Sequence, residues 1–126
     1  MSRYLLDTHA LLWYRGGSKQ LLKVAKETIE ASDIFLSPIS LWEISLLHQK
    51  KKIGKNISYQ DFQQSILSDN FEEIALTNND FIVFNKLPLL HKDPFDRMLI
   101  AQALAKDLTL ITRDTVIPNY SVKTLW

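Results

Sequence analysis

Apolar residues along the chain form short continuous runs that alternate with longer stretches of helical period. The short runs predict strands at residues 4–6, 33–37, 72–76, 108–112 and 121–125. The longer stretches predict a helix that begins near Ala10 and further helices over residues 19–31, 38–51, 58–68, 79–86 and 94–106. Strands that alternate with helices are typical of a parallel sheet covered by helices on both faces. Such sheets bind ligands beyond the carboxyl ends of their strands, so polar residues at those ends are the first site candidates.

Composition narrows the class of protein without identifying a function. The chain has 126 residues, of which 46% are hydrophobic and 23% charged, which fits a single globular domain over residues 1–126. It has no cysteine, which excludes disulfides and thiolate metal sites. No apolar run is long enough to span a bilayer, and Arg3 and Asp7 interrupt the only candidate signal peptide. We therefore expect a cytoplasmic protein without membrane contact.

Two acids follow apolar strands. Asp7 stands between the strand at residues 4–6 and "ALLWY", the apolar start of the next helix. Taken alone, Asp7 is best explained as the N-cap of that helix, accepting a hydrogen bond from the backbone N–H of His9 or Ala10. Asp114 repeats the arrangement after "LTLIT", and it could cap a short helical turn at residues 115–117. Both acids have a structural explanation, yet both stand where a parallel sheet binds ligands.

Glu43 lies within a predicted helix that is apolar almost all round. Ile39, Leu46 and Leu47 share its helical face, so we expect the helix to be largely buried. A buried glutamate needs a basic partner or a metal ion, because desolvation of its charge is costly. No lysine or arginine lies one helical turn away, which favours a functional role for Glu43 over a buried ion pair.

"HKDPFDRMLIAQA" at residues 91–103 places two acids at the start of the clearest helix. Asp93 fits the N-cap, Pro94 the first helical position and Asp96 the third, in a variant of the capping box. Asp93 and Arg97 are also spaced as an i, i+4 ion pair. Capping explains Asp93 well and Asp96 less well, because Asp96 heads the apolar face of the helix. We therefore rank Asp96 above Asp93 as a site residue.

The acids Asp7, Glu43, Asp96 and Asp114 can be explained one at a time, but together they predict a shared catalytic site. Clustered carboxylates repel one another and take up protons unless a cation holds them. Oxygen-only ligation suits Mg²⁺ or Mn²⁺, which can orient a phosphodiester and activate water for its hydrolysis. Asp7, Asp96 and Asp114 would be inner ligands, and Glu43 a second-metal or water-mediated ligand.

Other residues are candidates for supporting roles. Thr8 and Thr112 could hydrogen-bond the carboxylates or bound water, and Arg97 or a cluster of lysines could contact substrate phosphate. The lysines have a simpler explanation as a solvated helix end, because cations are favourable near a helix C-terminus. The net charge of +1 says little about partners. The lysine cluster comprises Lys50, Lys51, Lys52 and Lys55.

The chain resembles the PIN-domain nucleases, and within them the VapC-type toxins of bacterial toxin–antitoxin pairs. The resemblance covers nearly the whole chain, in the family's order and spacing, and is carried by "YLLDTHALLW", "SPISLWEISLLHQKKKIGK", "HKDPFDRMLIAQALAKDLTLITRD" and "YSVKTLW". It implies a three-layer α/β/α sandwich with a central, mostly parallel sheet, and Mg²⁺- or Mn²⁺-dependent endoribonuclease activity on RNA. It also implies a homodimer, neutralised by a cognate small antitoxin protein.

Carried over by position, the family's acids match Asp7, Glu43, Asp96 and Asp114, so no expected acid is missing. The resemblance leaves Asp93 as an extra or substitute ligand.

Two other functions stay open. A related nuclease could act on DNA or structured nucleic acid, although a near-neutral net charge disfavours a large duplex footprint. A non-catalytic module could use the acids to bind a basic segment of a partner. Metal-free hydrolysis by His9, His48 or His91 is poorly supported, because no Ser–His–Asp arrangement or metal-type histidine spacing is visible. We interpret each histidine as an ordinary structural or surface residue.

Overall fold

The computed structural model describes residues 2–67 and 70–126. Within these residues the strands are β1 (Arg3–Leu6), β2 (Asp33–Leu36), β3 (Glu72–Glu73), β4 (Thr109–Ile111) and β5 (Thr124–Leu125). They form one parallel sheet in the order β3-β2-β1-β4-β5. None of the described helices has the length and hydrophobicity needed to cross a bilayer. The helices are α1 (Thr8–Gly16), α2 (Lys23–Ala31), α3 (Pro38–Gln49), α4 (Tyr59–Ile66), α5 (Asn78–Asn85) and α6 (Pro94–Lys106), and a 3₁₀ turn covers Ile117–Asn119.

The order and type of the elements confirm the predicted α/β fold, and the differences lie at element ends. β3 and β5 have two residues each, shorter than predicted, because an edge strand pairs on one side only. α2 begins at Lys23 rather than near residue 19. The predicted end of α4 at Ser68 lies outside the described residues.

Neighbouring residues of the central strands face two separate cores. Leu5 and Leu110 pack in the core that includes α5 and α6, whereas Leu6 and Ile111 pack with α1, α2 and α4. Because successive side chains of a strand point to opposite faces, a sheet covered on both sides needs apolar residues throughout its strands. Burial on both faces of the sheet therefore explains the continuous apolar runs. The structure confirms the predicted three-layer α/β/α sandwich.

α3 is less buried than its composition predicts. Ile39 and Ile44 are buried, but Trp42 is 57% exposed, and Leu46 and Leu47 are only partly buried. The helix contributes Ile39 to one core and Ile44 to the other. The expectation of a largely buried helix is therefore wrong.

An ion pair between a buried aspartate and a partly exposed lysine, which the sequence pattern did not reveal, joins α5 to α6. The side chain of Asp80 is fully buried, 2.6 Å from Nζ of Lys106 and 3.2 Å from Nε2 of Gln102. Asp80 also accepts the backbone N–H of Thr77 at 2.9 Å, which closes a capping box. Burial would raise the pKa of Asp80, but its hydrogen bonds from Lys106, Thr77 and Gln102 outweigh burial and lower that pKa.

Candidate active site

The elements that carry the predicted acids meet at the carboxyl ends of the central strands. Asp7 directly follows β1, and Asp114 follows β4, which pairs directly with β1. Glu43 is on α3, which begins where β2 ends, and Asp96 is in the first turn of α6. α6 then returns along the sheet to the start of β4, so its first turn lies at the carboxyl edge.

This topology brings together acids that are distant in sequence. Asp7, Asp96 and Asp114 line one cleft of about 340 Å³, which we call the acidic cleft. Glu43 lies near enough that its negative charge raises the pKa of both Asp7 and Asp96. The structure therefore places the four predicted acids around one site, whereas their catalytic roles stay a prediction.

Asp7 has the capping role that its position suggested, and it is also buried. Its Oδ1 accepts the backbone N–H of Ala10 at 2.8 Å, which caps α1. Only 5% of Asp7 is exposed, and burial raises the pKa of its carboxyl even though a hydrogen bond with the Thr112 side chain lowers it. A cap does not require burial of the charge, so capping is a correct but incomplete explanation of Asp7.

Glu43 has a hydroxyl partner rather than a basic one. The Thr8 hydroxyl lies 2.6 Å from Oε1 of Glu43 and 3.2 Å from Oγ of Ser40. None of the ion pairs among the described residues involves Glu43, so the buried ion pair is not supported. The contacts of Thr8 with Glu43 and of Thr112 with Asp7 are of the kind that the sequence led us to expect.

Asp93 caps α6, and Asp96 is the one of the two acids that faces the site. Oδ1 of Asp93 accepts the backbone N–H groups of Phe95 at 2.8 Å and Asp96 at 3.3 Å, so Asp93 is the N-cap of α6. Asp96 instead faces the acidic cleft. Burial, reinforced by the negative charges of Asp93, Asp7 and Glu43, raises the pKa of Asp96 to about 7.

Asp114 is hydrogen-bonded through both of its oxygens. Oδ1 accepts the backbone N–H groups of Val116 at 2.7 Å and Ile117 at 3.0 Å, at the start of the 3₁₀ turn. Oδ2 lies 2.8 Å from Nε2 of His91, which is also 3.3 Å from Oδ2 of Asp96. Burial would raise the pKa of Asp114, but the hydrogen bonds from His91 and the backbone outweigh burial and lower it.

Sequence reasoning missed several residues of this site. His91, interpreted as an ordinary structural or surface residue, is partly buried and contacts two of the acids, and a role for it in the site stays a prediction. His9, Trp13 and Arg113 also line the acidic cleft, with the Arg113 guanidinium 5.7 Å from the Trp13 ring centre. The sequence offered one signal for these residues, which is closeness along the chain: Arg113 directly precedes Asp114, and His91 lies two residues before Asp93 in the loop that leads into α6.

Arg97 is not placed where the sequence suggested. Its guanidinium lies over the Phe84 ring, 4.5 Å from the ring centre, and its Nη2 is 3.5 Å from the carbonyl oxygen of Leu87. Among the described residues it forms no ion pair with Asp93. The expected ion pair is absent there, and a phosphate contact by Arg97 loses its support because Phe84 attracts the cation elsewhere.

The lysine cluster is exposed and separate from the acids. Lys50 is the C-cap of α3, which agrees with the helix-end explanation. Lys50, Lys51 and Lys55 line a second cleft of about 740 Å³, whose lining includes none of the four acids. A contact between these lysines, or the exposed Lys52, and a nucleic acid stays a prediction.

The donor set of the acidic cleft fits a hard divalent cation. Asp96 and Asp114 each offer a carboxylate oxygen within 4.8 Å of the other, a spacing that one ion can bridge, and a ring nitrogen of His91 lies within the same distance of both. Carboxylate oxygens are the ligands that Mg²⁺ and Mn²⁺ prefer. The raised pKa values of Asp7 and Asp96 show that burial and mutual repulsion disfavour their charges, and a cation would relieve both effects.

The protein is therefore a parallel α/β/α sandwich whose clustered carboxylates, beyond the carboxyl ends of the central strands, form a candidate cation-binding site. The PIN domain family matches residues 4–123, and the chain belongs to this family. The resemblance to this family inferred from the motifs is thereby confirmed.

One relative is similar in sequence, and two solved structures are similar in fold. The chain is 27% identical over 116 residues to Ribonuclease VapC22 of Mycobacterium tuberculosis, covering 90% of this chain and 88% of that protein. It shares its fold with VapBC2 from Rickettsia felis bound to a DNA fragment from their promoter, at TM-score 0.76, 19% identity and 98% coverage of each chain. A toxin-antitoxin complex from Klebsiella pneumoniae matches at TM-score 0.69 and 20% identity, covering 98% of this chain and 96% of that one.

Proposed function

We propose that the chain is a metal-dependent endoribonuclease that acts as the toxin of a VapC-type toxin–antitoxin pair. The observation that carries the proposal is the convergence of Asp7, Asp96 and Asp114 in one acidic cleft, beside Glu43, in a member of the PIN domain family. RNA is the substrate class that the name of the 27% identical ribonuclease supports. We expect one domain to carry this activity in the cytoplasm.

Each side chain of the site has a distinct task in this proposal. Asp7, Asp96 and Asp114 would hold Mg²⁺ or Mn²⁺, with Glu43 as a second-metal or water-mediated ligand. When bound, the ion supplies positive charge that makes water easier to deprotonate and stabilises the leaving oxygen. Thr8 orients the carboxylate of Glu43 through its hydroxyl.

Arg113 takes the phosphate-binding task that Arg97 is not placed to perform. It is exposed and lines the acidic cleft together with Trp13 and His9. A guanidinium binds phosphate oxygens well, because its N–H groups match their geometry. The aromatic rings beside it offer a surface on which a nucleic-acid base can stack.

Cleavage of single-stranded RNA tests the proposal directly. We expect cleavage with Mg²⁺ or Mn²⁺, none with a chelator, and none by Asp7→Asn, which removes a ligand charge. Asp33→Asn is the matched control, because Asp33 is exposed at the amino end of β2, at the opposite edge of the sheet. Full activity of Asp7→Asn or of Asp114→Asn would refute the mechanism.

The same assay separates the two alternative functions. Cleavage of duplex DNA or structured nucleic acid in preference to single-stranded RNA would favour the related nuclease. Tight partner binding without divalent-dependent cleavage of any RNA would favour the acidic interaction module.

We also propose that a small antitoxin protein binds the chain, since the fold is shared with a structure described as a toxin-antitoxin complex. A groove of about 320 Å³ provides a surface of the kind that a protein partner covers. Its lining includes the exposed side chains of Trp42, Leu76 and Phe81. Trp42→Asp should weaken capture by the product of the neighbouring reading frame, and sedimentation should show whether the chain alone is a homodimer.

A further inference from the structure

The loop before α6 holds His91 rigidly beside the acidic cleft. The phenol oxygen of Tyr120 accepts the backbone N–H groups of Leu90 at 3.1 Å and His91 at 2.8 Å. The same hydroxyl donates to the carbonyl of Pro88 at 2.9 Å, and Tyr120 is only 5% exposed. The position of the His91 backbone is therefore determined by a buried side chain from the far end of the sequence.

The hydrogen bonds of the His91 ring identify its tautomer. Nδ1 lies 3.0 Å from the backbone nitrogen of Asp93, which can only donate. Nδ1 must therefore be the acceptor, and the ring proton is on Nε2. Moving that proton to Nδ1 would place two N–H groups against each other.

Nε2–H of His91 faces two of the proposed ligands. It lies 2.8 Å from Oδ2 of Asp114 and 3.3 Å from Oδ2 of Asp96, and the His91 side chain is 13% exposed. Val116 and Ile117 already occupy Oδ1 of Asp114, so His91 orients the oxygen that remains for a cation. A nitrogen that carries a proton has no lone pair to offer a metal.

We propose that His91 is a positioning residue that orients the carboxylates of Asp114 and Asp96 toward the cation and is not itself a ligand. This inference rests on the proposed function, because it assumes that the acidic cleft binds a divalent ion. Hydrogen bonds from outside the ligand shell orient metal-binding carboxylates, and their loss typically weakens metal affinity by about 10- to 100-fold.

Mn²⁺ binding measures this role without an activity assay. Titration followed by electron paramagnetic resonance of free Mn²⁺ should show binding to His91→Phe about 10- to 100-fold weaker than to wild type. His91→Gln restores a side-chain N–H donor and should recover part of the affinity. His48→Phe is the matched control, since His48 contacts Ile57 and Phe62 and lies outside the acidic cleft.

Electron spin-echo envelope modulation of Mn²⁺-loaded wild type provides a second test that does not depend on a variant folding. We expect no strong coupling from a directly bound imidazole nitrogen. Such a coupling, or unchanged or tighter Mn²⁺ binding by folded His91→Phe, would overturn the inference while leaving the proposed function intact. Equal, negligible Mn²⁺ binding by wild type and Asp7→Asn would instead refute the proposed metal site.

Discussion

Replacing Asp96 with asparagine should stabilise the metal-free protein at alkaline pH. The Asp96 carboxyl is unfavourably charged there, because burial and nearby acids raise its pKa from 3.8 to about 7. Asparagine has nearly the same shape without the charge, and its amide oxygen can still accept a hydrogen bond from His91. The variant should therefore gain the free energy that wild type loses by keeping this carboxylate ionised.

The size and the pH dependence of this gain follow from the two pKa values. One pKa unit corresponds to about 1.4 kcal/mol. The rise of the Asp96 pKa from 3.8 to about 7 therefore sets an upper limit of about 4 kcal/mol on the gain in unfolding free energy. The Asp96 side chain is 22% exposed, and its charge also interacts favourably with the N-terminus of α6, so we expect Asp96→Asn to gain about 1 to 3 kcal/mol.

At pH values between these two pKa values, the folded chain holds a proton on Asp96 that the unfolded chain releases. Wild-type stability should therefore fall as pH rises from about 4 to about 7.

Urea unfolding with a chelator, at matched protein concentration, measures the effect at about pH 5 and about pH 8. Asp96→Asn should exceed wild type by clearly less at the lower pH than at the higher pH, because only part of the wild-type loss has accumulated at about pH 5. Asp61→Asn is the control, because Asp61 occupies the same position in the first turn of α4 and is exposed. An equal gain at both pH values, or no gain at the higher pH, would refute the assigned cause of the raised pKa.

Three further predictions test other parts of the structure. Glu43→Gln should lose RNA cleavage while its melting temperature holds or rises, because a repelling charge is removed; a large loss of stability would contradict this. Arg113→Gln should weaken RNA binding measured by fluorescence anisotropy and reduce its salt slope by about 1, whereas an unchanged slope would exclude a phosphate contact. Asp80→Asn should cost about 2 to 3 kcal/mol in urea unfolding, because the charge of Lys106 loses its buried partner. Adding Lys106→Met should recover part of that loss, and strictly additive losses would contradict the pairing.

The order of strands and helices could be predicted because its signals are local. A continuous apolar run identifies a strand buried on both faces, and "LTLIT" corresponds to β4. Capping is equally local, since the acid and the backbone N–H groups that donate hydrogen bonds to it are only two or three residues apart. Asp7 and Asp93 were therefore recognised as caps from their neighbours alone.

The contacts of the site join residues that are distant in the chain, so local sequence patterns do not predict these contacts. Tyr120 holds the His91 backbone from 29 residues away, and Asp80 pairs with Lys106 across 26 residues. Arg97 illustrates the converse, because its spacing from Asp93 suggested an ion pair while packing placed it over Phe84. The positions of the acids at element boundaries could be read from the sequence, because secondary structure follows from neighbouring residues. Which side chains surround those acids was settled by the packing of α6 and the 3₁₀ turn against the sheet, because burial and electrostatic coupling arise only when distant segments meet.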